Sequence, residues 1–208
     1  MVKVHPECDS TIEGVHRSVE PPPNGIVNPM ETRTNPGTTM EDERPHVLTL
    51  CTGNAARSVM AGAMLTSAPV HMVTAGTHVV EGQPMSRRTR DALGSVEMSA
   101  DGHRSHQLTD GDVENADLII AMAGEHVNYI RRRHPEAAAR TASIIRLCRD
   151  LEDGPEPLRD RVSRLALAEV VIESWEDVED PAGGEDQNYV ACAHELAGLC
   201  VELLPRLR

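Results

Sequence analysis

The chain has 208 residues and a formal net charge of -13, with no basic cluster. That length suits one α/β domain with a proper core and leaves little room for a second. The charge excludes nucleic acid and anionic membrane surfaces as partners, because both need counterion-releasing Lys and Arg patches.

In chain order, the first 45 residues hold seven prolines and eight acids against four Lys or Arg, without apolar periodicity. They bury too little to offset ordering entropy, so residues 1–44 are expected to be a disordered extension. They also lack the apolar run of a signal peptide or membrane span, and a soluble cytoplasmic protein is the expectation. The domain then runs over 45–208, where short β-branched runs alternate with longer helical stretches, the pattern of a parallel sheet covered on both faces. Strands are predicted over 47–50, 70–74, 116–122 and 143–147. Helices are predicted over 58–66, 86–93, 125–134, within 158–172 and over 189–204. The fold class is therefore α/β: a three-layer sandwich with a central four-stranded parallel sheet. The basic run Arg131 to His134 reads as a solvated helix end, complementing the helix dipole. Cysteines 8, 51, 148, 192 and 200 show no C-x-x-C spacing. Free thiols in a reducing compartment are expected, with no disulfide framework and no structural zinc.

The segment Val47-Leu-Thr-Leu-Cys51-Thr-Gly-Asn-Ala-Ala-Arg57-Ser58 runs from a strand through a small-residue loop into a helix. Successive inward amides ending at a helix N-terminus make an anion site. Thr52, Gly53, Asn54, Ala55 and Ala56 form that loop, and Gly53 is expected to take the backbone angles other residues resist. Cys51 stands at its mouth, where the donors that hold phosphate also stabilise a thiolate. Arg57 can return to grip two phosphoryl oxygens with its planar fork, and Ser58 can donate to the sulfur. The bare spacing of Cys, five residues and Arg is weak, since Cys200 and Arg206 also satisfy it. That second match lacks the strand and the glycine and reads as a core cysteine in an apolar helix.

CTGNAARS followed by VMAGAML resembles the active-site loop and first helix of low-molecular-weight protein tyrosine phosphatases. Ala75-Gly-Thr77, Glu81-Gly-Gln-Pro-Met85, Gly102-His103-Arg-Ser-His-Gln-Leu108, Ala116-Asp-Leu-Ile-Ile120, Glu125-His126 and Asp180-Pro181 follow in the family's order, so the resemblance covers about residues 46–207. It implies a phosphatase acting on a phosphorylated protein or a small phosphomonoester, without cofactor or metal. Cys51 is then the nucleophile that becomes a phosphocysteine, and Arg57 with the amides of 52–57 holds the phosphoryl group. Asp180 is the general acid, while Asn54, Ser58 and His103 support the loop. His103 also has the plain reading of a loop histidine. Asp180 stands among Glu173, Glu176, Asp177, Glu179, Glu185 and Asp186, a stretch without Lys or Arg that should be largely solvated and should repel acidic substrates.

Three departures from the family pattern stand out. Ala56 replaces a cysteine able to protect the oxidised nucleophile, and Val59 and Gly62 replace a proline and an acid in the first helix. Where the family often sandwiches a phenyl ring between aromatic side chains, this chain has His78-Val79-Val80 and Ala182-Gly183-Gly184. Tyr189 and Trp175 read as packing residues. The rival functions are an arsenate reductase using an external small thiol and a non-catalytic phosphate-binding regulatory module.

Overall fold

The computed structural model describes residues 44–208, so the expected N-terminal extension lies outside the described residues. Four strands form one parallel sheet in the order β2-β1-β3-β4: β1 His46–Cys51, β2 His71–Gly76, β3 Leu118–Ala121 and β4 Thr141–Ser143. The helices are α1 Arg57–Leu65, α2 Arg87–Ser95, α3 Asp110–Asn115, α4 Gly124–Arg133, α5 Ile144–Asp150, α6 Leu158–Ser163 and α7 Asp186–Leu203.

Strand alternation divides the core between two faces. Val47, Leu118, Ile120 and Ala142 pack with α1, α5 and α7, whereas Leu48, Leu50, Ile119 and Ala75 pack with Val113 of α3 and Ile130 of α4. Helix α1 is buried along nearly its whole surface between the sheet and α7. Gly62 allows that approach, since a Cβ there would stand 2.5 Å from Thr74 Cγ2. An acidic side chain would not fit at this position, which explains one departure from the family pattern.

The sheet order places the site. From β1 the chain crosses to β2 on one side and later to β3 on the other, so the strand order reverses at the C-terminal end of β1. In open α/β sheets, ligands bind in the crevice at such a switch point.

Two expectations about elements are corrected. The strand expected over 143–147 ends at Ser143, and Ile144–Asp150 is helical. The Ser143 hydroxyl accepts from Arg146 N at 3.1 Å and so caps the helix, while Arg146 is drawn onto buried Glu176. A cap and a buried ion pair outweigh the β preference of Ile144-Ile145. Helix α3, absent from the expectation, starts with a capping box between Thr109 and Asp112.

Candidate active site

Cys51 ends β1, and the loop of residues 52–56 leads into α1. The N-cap residue of α1, Ala56, makes no side-chain cap bond, which leaves first-turn amides for an anion. Carbonyl anchoring orients the loop. The carbonyls of Cys51 and Thr52 accept from the amides of Thr77 and His78 at 3.0 and 2.9 Å. The Asn54 carbonyl accepts from His103 Nε2 and Ser105 Oγ, both at 2.9 Å, and the Ala55 carbonyl from Thr89 Oγ1 at 2.8 Å. Among the described residues every peptide bond is trans. A planar trans unit with its carbonyl anchored outward turns the next N–H the opposite way, so the amides of residues 52, 53, 55 and 56 face the mouth.

Asn54, fully buried, is the bracket of the loop. Its Nδ2 donates to Ser58 Oγ and Thr74 Oγ1 at 3.0 Å each, and its Oδ1 accepts from His106 N at 2.9 Å. Ser58 Oγ lies 3.0 Å from Cys51 Sγ. Because that oxygen already accepts from Asn54, its own hydrogen is free to point at the sulfur, the orientation that steadies a thiolate.

Arg57, only 4% exposed, donates to Val178 O at 3.2 Å and pairs with Asp180 Oδ2 at 2.6 Å. The structure thus brings together Cys51, Arg57, Ser58 and, from 123 residues along the chain, Asp180. Cys51, Arg57 and Asp180 line a cleft of about 280 Å³ with Gly53, Ala182 and Tyr189, and Ser58 lies buried behind the sulfur. A larger cleft, about 430 Å³, lies between Glu114, Asp117, Arg140 and Arg159, and its lining holds neither a cysteine nor a histidine. Convergent chemistry, not size, selects the Cys51 cleft.

The family model for low molecular weight phosphotyrosine protein phosphatases matches residues 46–208. The chain belongs to this family. A probable low molecular weight protein-tyrosine-phosphatase of Ralstonia solanacearum is 31% identical over 137 residues, covering 62% of this chain and 92% of the relative. A protein-arginine-phosphatase of Geobacillus stearothermophilus is 29% identical over 165 residues, 78% of this chain and 95% of the relative. Among solved structures, the YwlE arginine phosphatase from Geobacillus stearothermophilus superposes with a TM-score of 0.61 at 28% identity, covering 77% of this chain and 90% of that one. A low molecular weight protein tyrosine phosphatase from T. tengcongensis gives 0.60 at 28% identity, over 76% of this chain and 97% of that one.

Several residues of this phosphatase sit otherwise than expected. The left-handed backbone position in the loop is Asn54, with φ 46°, and Gly53 is not among the positive-φ residues. The three side-chain bonds of Asn54 hold that conformation, which Asn tolerates better than most residues. The glycine that the loop does require is Gly76 at the end of β2, where a Cβ would stand 2.6 Å from Thr52 O and 2.8 Å from Asn54 N. His103 is bonded to the loop and is no bystander. Tyr189 lines the cleft, with Arg88 5.8 Å from its ring centroid. Trp175, by contrast, is away from the cleft lining and packs against the guanidinium groups of Arg146 and Arg149.

The acidic stretch is not an unpaired patch. Glu176 is buried against Arg146, Asp180 pairs with Arg57, and Asp186 pairs with Arg87 and Arg88. Asp177 accepts from Gly124 N. The cations come from α1, α2 and α5, which is why the local sequence conceals them and why repulsion of acidic substrates is weaker than the run of carboxylates implies. Of the basic run at the end of α4, Arg132 and Arg133 are exposed as expected, whereas Arg131 donates to the carbonyls of Leu167 and Val170.

Two further histidines flank the loop. Burial lowers the proton affinity of His106, but its hydrogen bonds to Asp112 and Glu81 outweigh this and its pKa is raised. His126, 1% exposed, places Nε2 3.0 Å from Thr52 Oγ1. Burial first, and then Arg57, hold its pKa down to about 4, against Glu125, Asp180 and Asp177. Among the described residues, no helix is long and apolar enough to cross a membrane.

Proposed function

We propose that this phosphatase works through a phosphocysteine, with Cys51 as nucleophile, Arg57 and the amides of residues 52–58 as phosphoryl holders and Asp180 as general acid. The observation that carries the reading is that Cys51 and the Arg57–Asp180 pair line one cleft, with the Ser58 hydroxyl 3.0 Å from the Cys51 sulfur. In the first step the S–P bond forms as the P–O bond to the leaving group breaks, and Asp180 gives its proton to the leaving oxygen. In the second step Asp180 takes a proton from water, the O–P bond forms, and the S–P bond breaks to release phosphate and thiolate. A dianionic phosphoryl group competes with Asp180 for the Arg57 fork, so substrate entry frees the carboxyl to sit beside the leaving oxygen. The catalytic unit is assigned to residues 45–208. A reducing cytoplasmic setting fits the free cysteines at 51, 148, 192 and 200.

For the leaving group, the cleft lining offers one aromatic side chain, Tyr189, and the small Ala182. The test is steady-state hydrolysis of para-nitrophenyl phosphate by wild type, Cys51→Ser and Asp180→Ala between pH 5 and 7, with phosphotyrosine, phosphoserine and phosphoarginine peptides in parallel. Turnover that vanishes in Cys51→Ser and slows in Asp180→Ala supports the mechanism. An inert wild type that consumes arsenate with a small thiol, or merely binds phosphate, replaces it with one of the rivals.

A further inference from the structure

Among the buried polar side chains that touch the phosphate loop without a role in the reaction above, His126 is the one that leaves a ring nitrogen without a partner. His126 stands in the first turn of α4 with its ring sealed from solvent. Its Nε2 is 3.0 Å from Thr52 Oγ1, and the same hydroxyl is 3.2 Å from Glu125 Oε1. A carboxylate only accepts, so the Thr52 hydrogen goes to Glu125 and the hydroxyl lone pair is left for a proton on Nε2. His126 Nδ1 is then the unprotonated nitrogen, and it is buried with no hydrogen-bond partner among the described residues. A ring kept in the interior with one polar atom unsatisfied is costly, and an apolar residue of similar size would pack there without that cost. What the imidazole supplies in return is a donor at Nε2, 3.0 Å from Thr52 Oγ1 and 3.3 Å from Glu125 Oε1, with the hydroxyl the nearer acceptor.

The turn that carries His126 also seats the acid loop. Gly124 N donates to Asp177 Oδ1 at 2.7 Å, and Val178 N donates to Met122 O at 2.9 Å. Arg57 in turn donates to the Val178 carbonyl. The segment from Met122 to His126 therefore bonds both to the first residue after the nucleophile and to the loop that bears Asp180.

We propose that His126 is a positioning residue for the phosphate loop, its Nε2–H holding the Thr52 hydroxyl and so the direction of the first inward amide after Cys51. The inference rests on the reading of the Cys51 loop as the phosphoryl site. The ring stays neutral over the assay range, so it acts as a fixed donor and not as a proton carrier.

The test measures kcat and KM for para-nitrophenyl phosphate, inhibition by inorganic phosphate and melting temperature, for wild type, His126→Leu, His126→Gln, Thr52→Val, the His126→Leu/Thr52→Val double variant and Cys51→Ser. His126→Leu should lose roughly three- to tenfold in kcat/KM and in phosphate affinity, the range of one neutral hydrogen bond. His126→Gln, whose terminal amide can donate from the place of Nε2, should recover most of that loss. Thr52→Val should lose at least as much as His126→Leu, since it also breaks the bond to Glu125, and the double variant should fall no further than Thr52→Val, where the bond to His126 is already gone. Unchanged phosphate affinity in Thr52→Val, a Gln variant as impaired as Leu, or additive losses would each overturn the proposal. If His126→Leu does not fold, Thr52→Val and His126→Gln still decide it. Turnover surviving in Cys51→Ser overturns the site assignment itself, whereas turnover that dies there yet ignores His126 and Thr52 overturns this inference alone.

Discussion

Replacing His126 by glutamine should flatten the acid side of the stability profile. The imidazole lies in the interior with a pKa of about 4, against an ordinary value of 6.5. A base whose folded pKa is lowered binds fewer protons folded than unfolded, so its contribution favours folding at neutral pH. That contribution is lost as pH falls from 6.5 towards 4, where the loss levels off. With these two values, linkage gives a loss of about 2 kcal/mol between pH 7 and pH 5 from this single ring. Carboxylates also titrate over this range, and the glutamine variant serves as the reference that cancels them. The assay is urea unfolding of both proteins at pH 7 and pH 5. Wild type should lose about 2 kcal/mol more than His126→Gln, with equal denaturant slopes. Parallel losses would show that His126 is solvated or protonated in the folded protein, and would refute the reasoning.

Other perturbations probe the fold and the cleft. Glu176→Ala leaves Arg146 buried without its carboxylate and should cost about 3 to 5 kcal/mol in urea unfolding; a loss below 1 kcal/mol would mean that water replaces the carboxylate. Gly62→Ala should destabilise by about 1 to 3 kcal/mol through its clash with Thr74 Cγ2. Adding Thr74→Ser, which removes that methyl and keeps the hydroxyl that accepts from Asn54, should restore most of the loss. Tyr189→Ala should reduce kcat/KM for phosphotyrosine peptides by roughly two- to tenfold and leave phosphoserine peptides nearly unchanged, as one aromatic contact would require. Equal losses on both would place Tyr189 outside leaving-group recognition. Peroxide should inactivate the enzyme with poor recovery on adding thiol, since Ala56 offers no sulfur and burial pushes the Cys148 and Cys192 thiols up to about 11 and 12. Full recovery, with mass spectrometry showing a disulfide to Cys51, would contradict this.

The phosphate loop was legible from the chain alone because its chemistry is contiguous. A strand, small residues, Arg57 and Ser58 follow Cys51 without interruption, and the spacing that brings a helix N-terminus to the sulfur is local geometry. The alternation of strands and helices was legible for the same reason, since burial on both faces writes itself into short apolar runs. The errors arose where a distant partner decided. Ile144-Ile145 has strand composition, yet the Ser143 cap and the pull of Glu176 on Arg146 make it helical. The carboxylates near Asp180 look unpaired in sequence because Arg57, Arg88 and Arg146 approach from three different helices.

Asp180 shows the same division. The family pattern singled it out, but only the fold sets it 2.6 Å from Arg57. Tyr189 and His126 carried no local mark of their positions, since a side chain at a helix start can face core, cleft or solvent depending on what packs across from it. Sequence by itself determined the Cys51 loop and the layered α/β class, both consequences of short-range order. Tertiary structure decided the cleft wall, the pairing of the acids and the contact between His126 and Thr52, because these depend on where segments 70 to 120 residues apart come to rest.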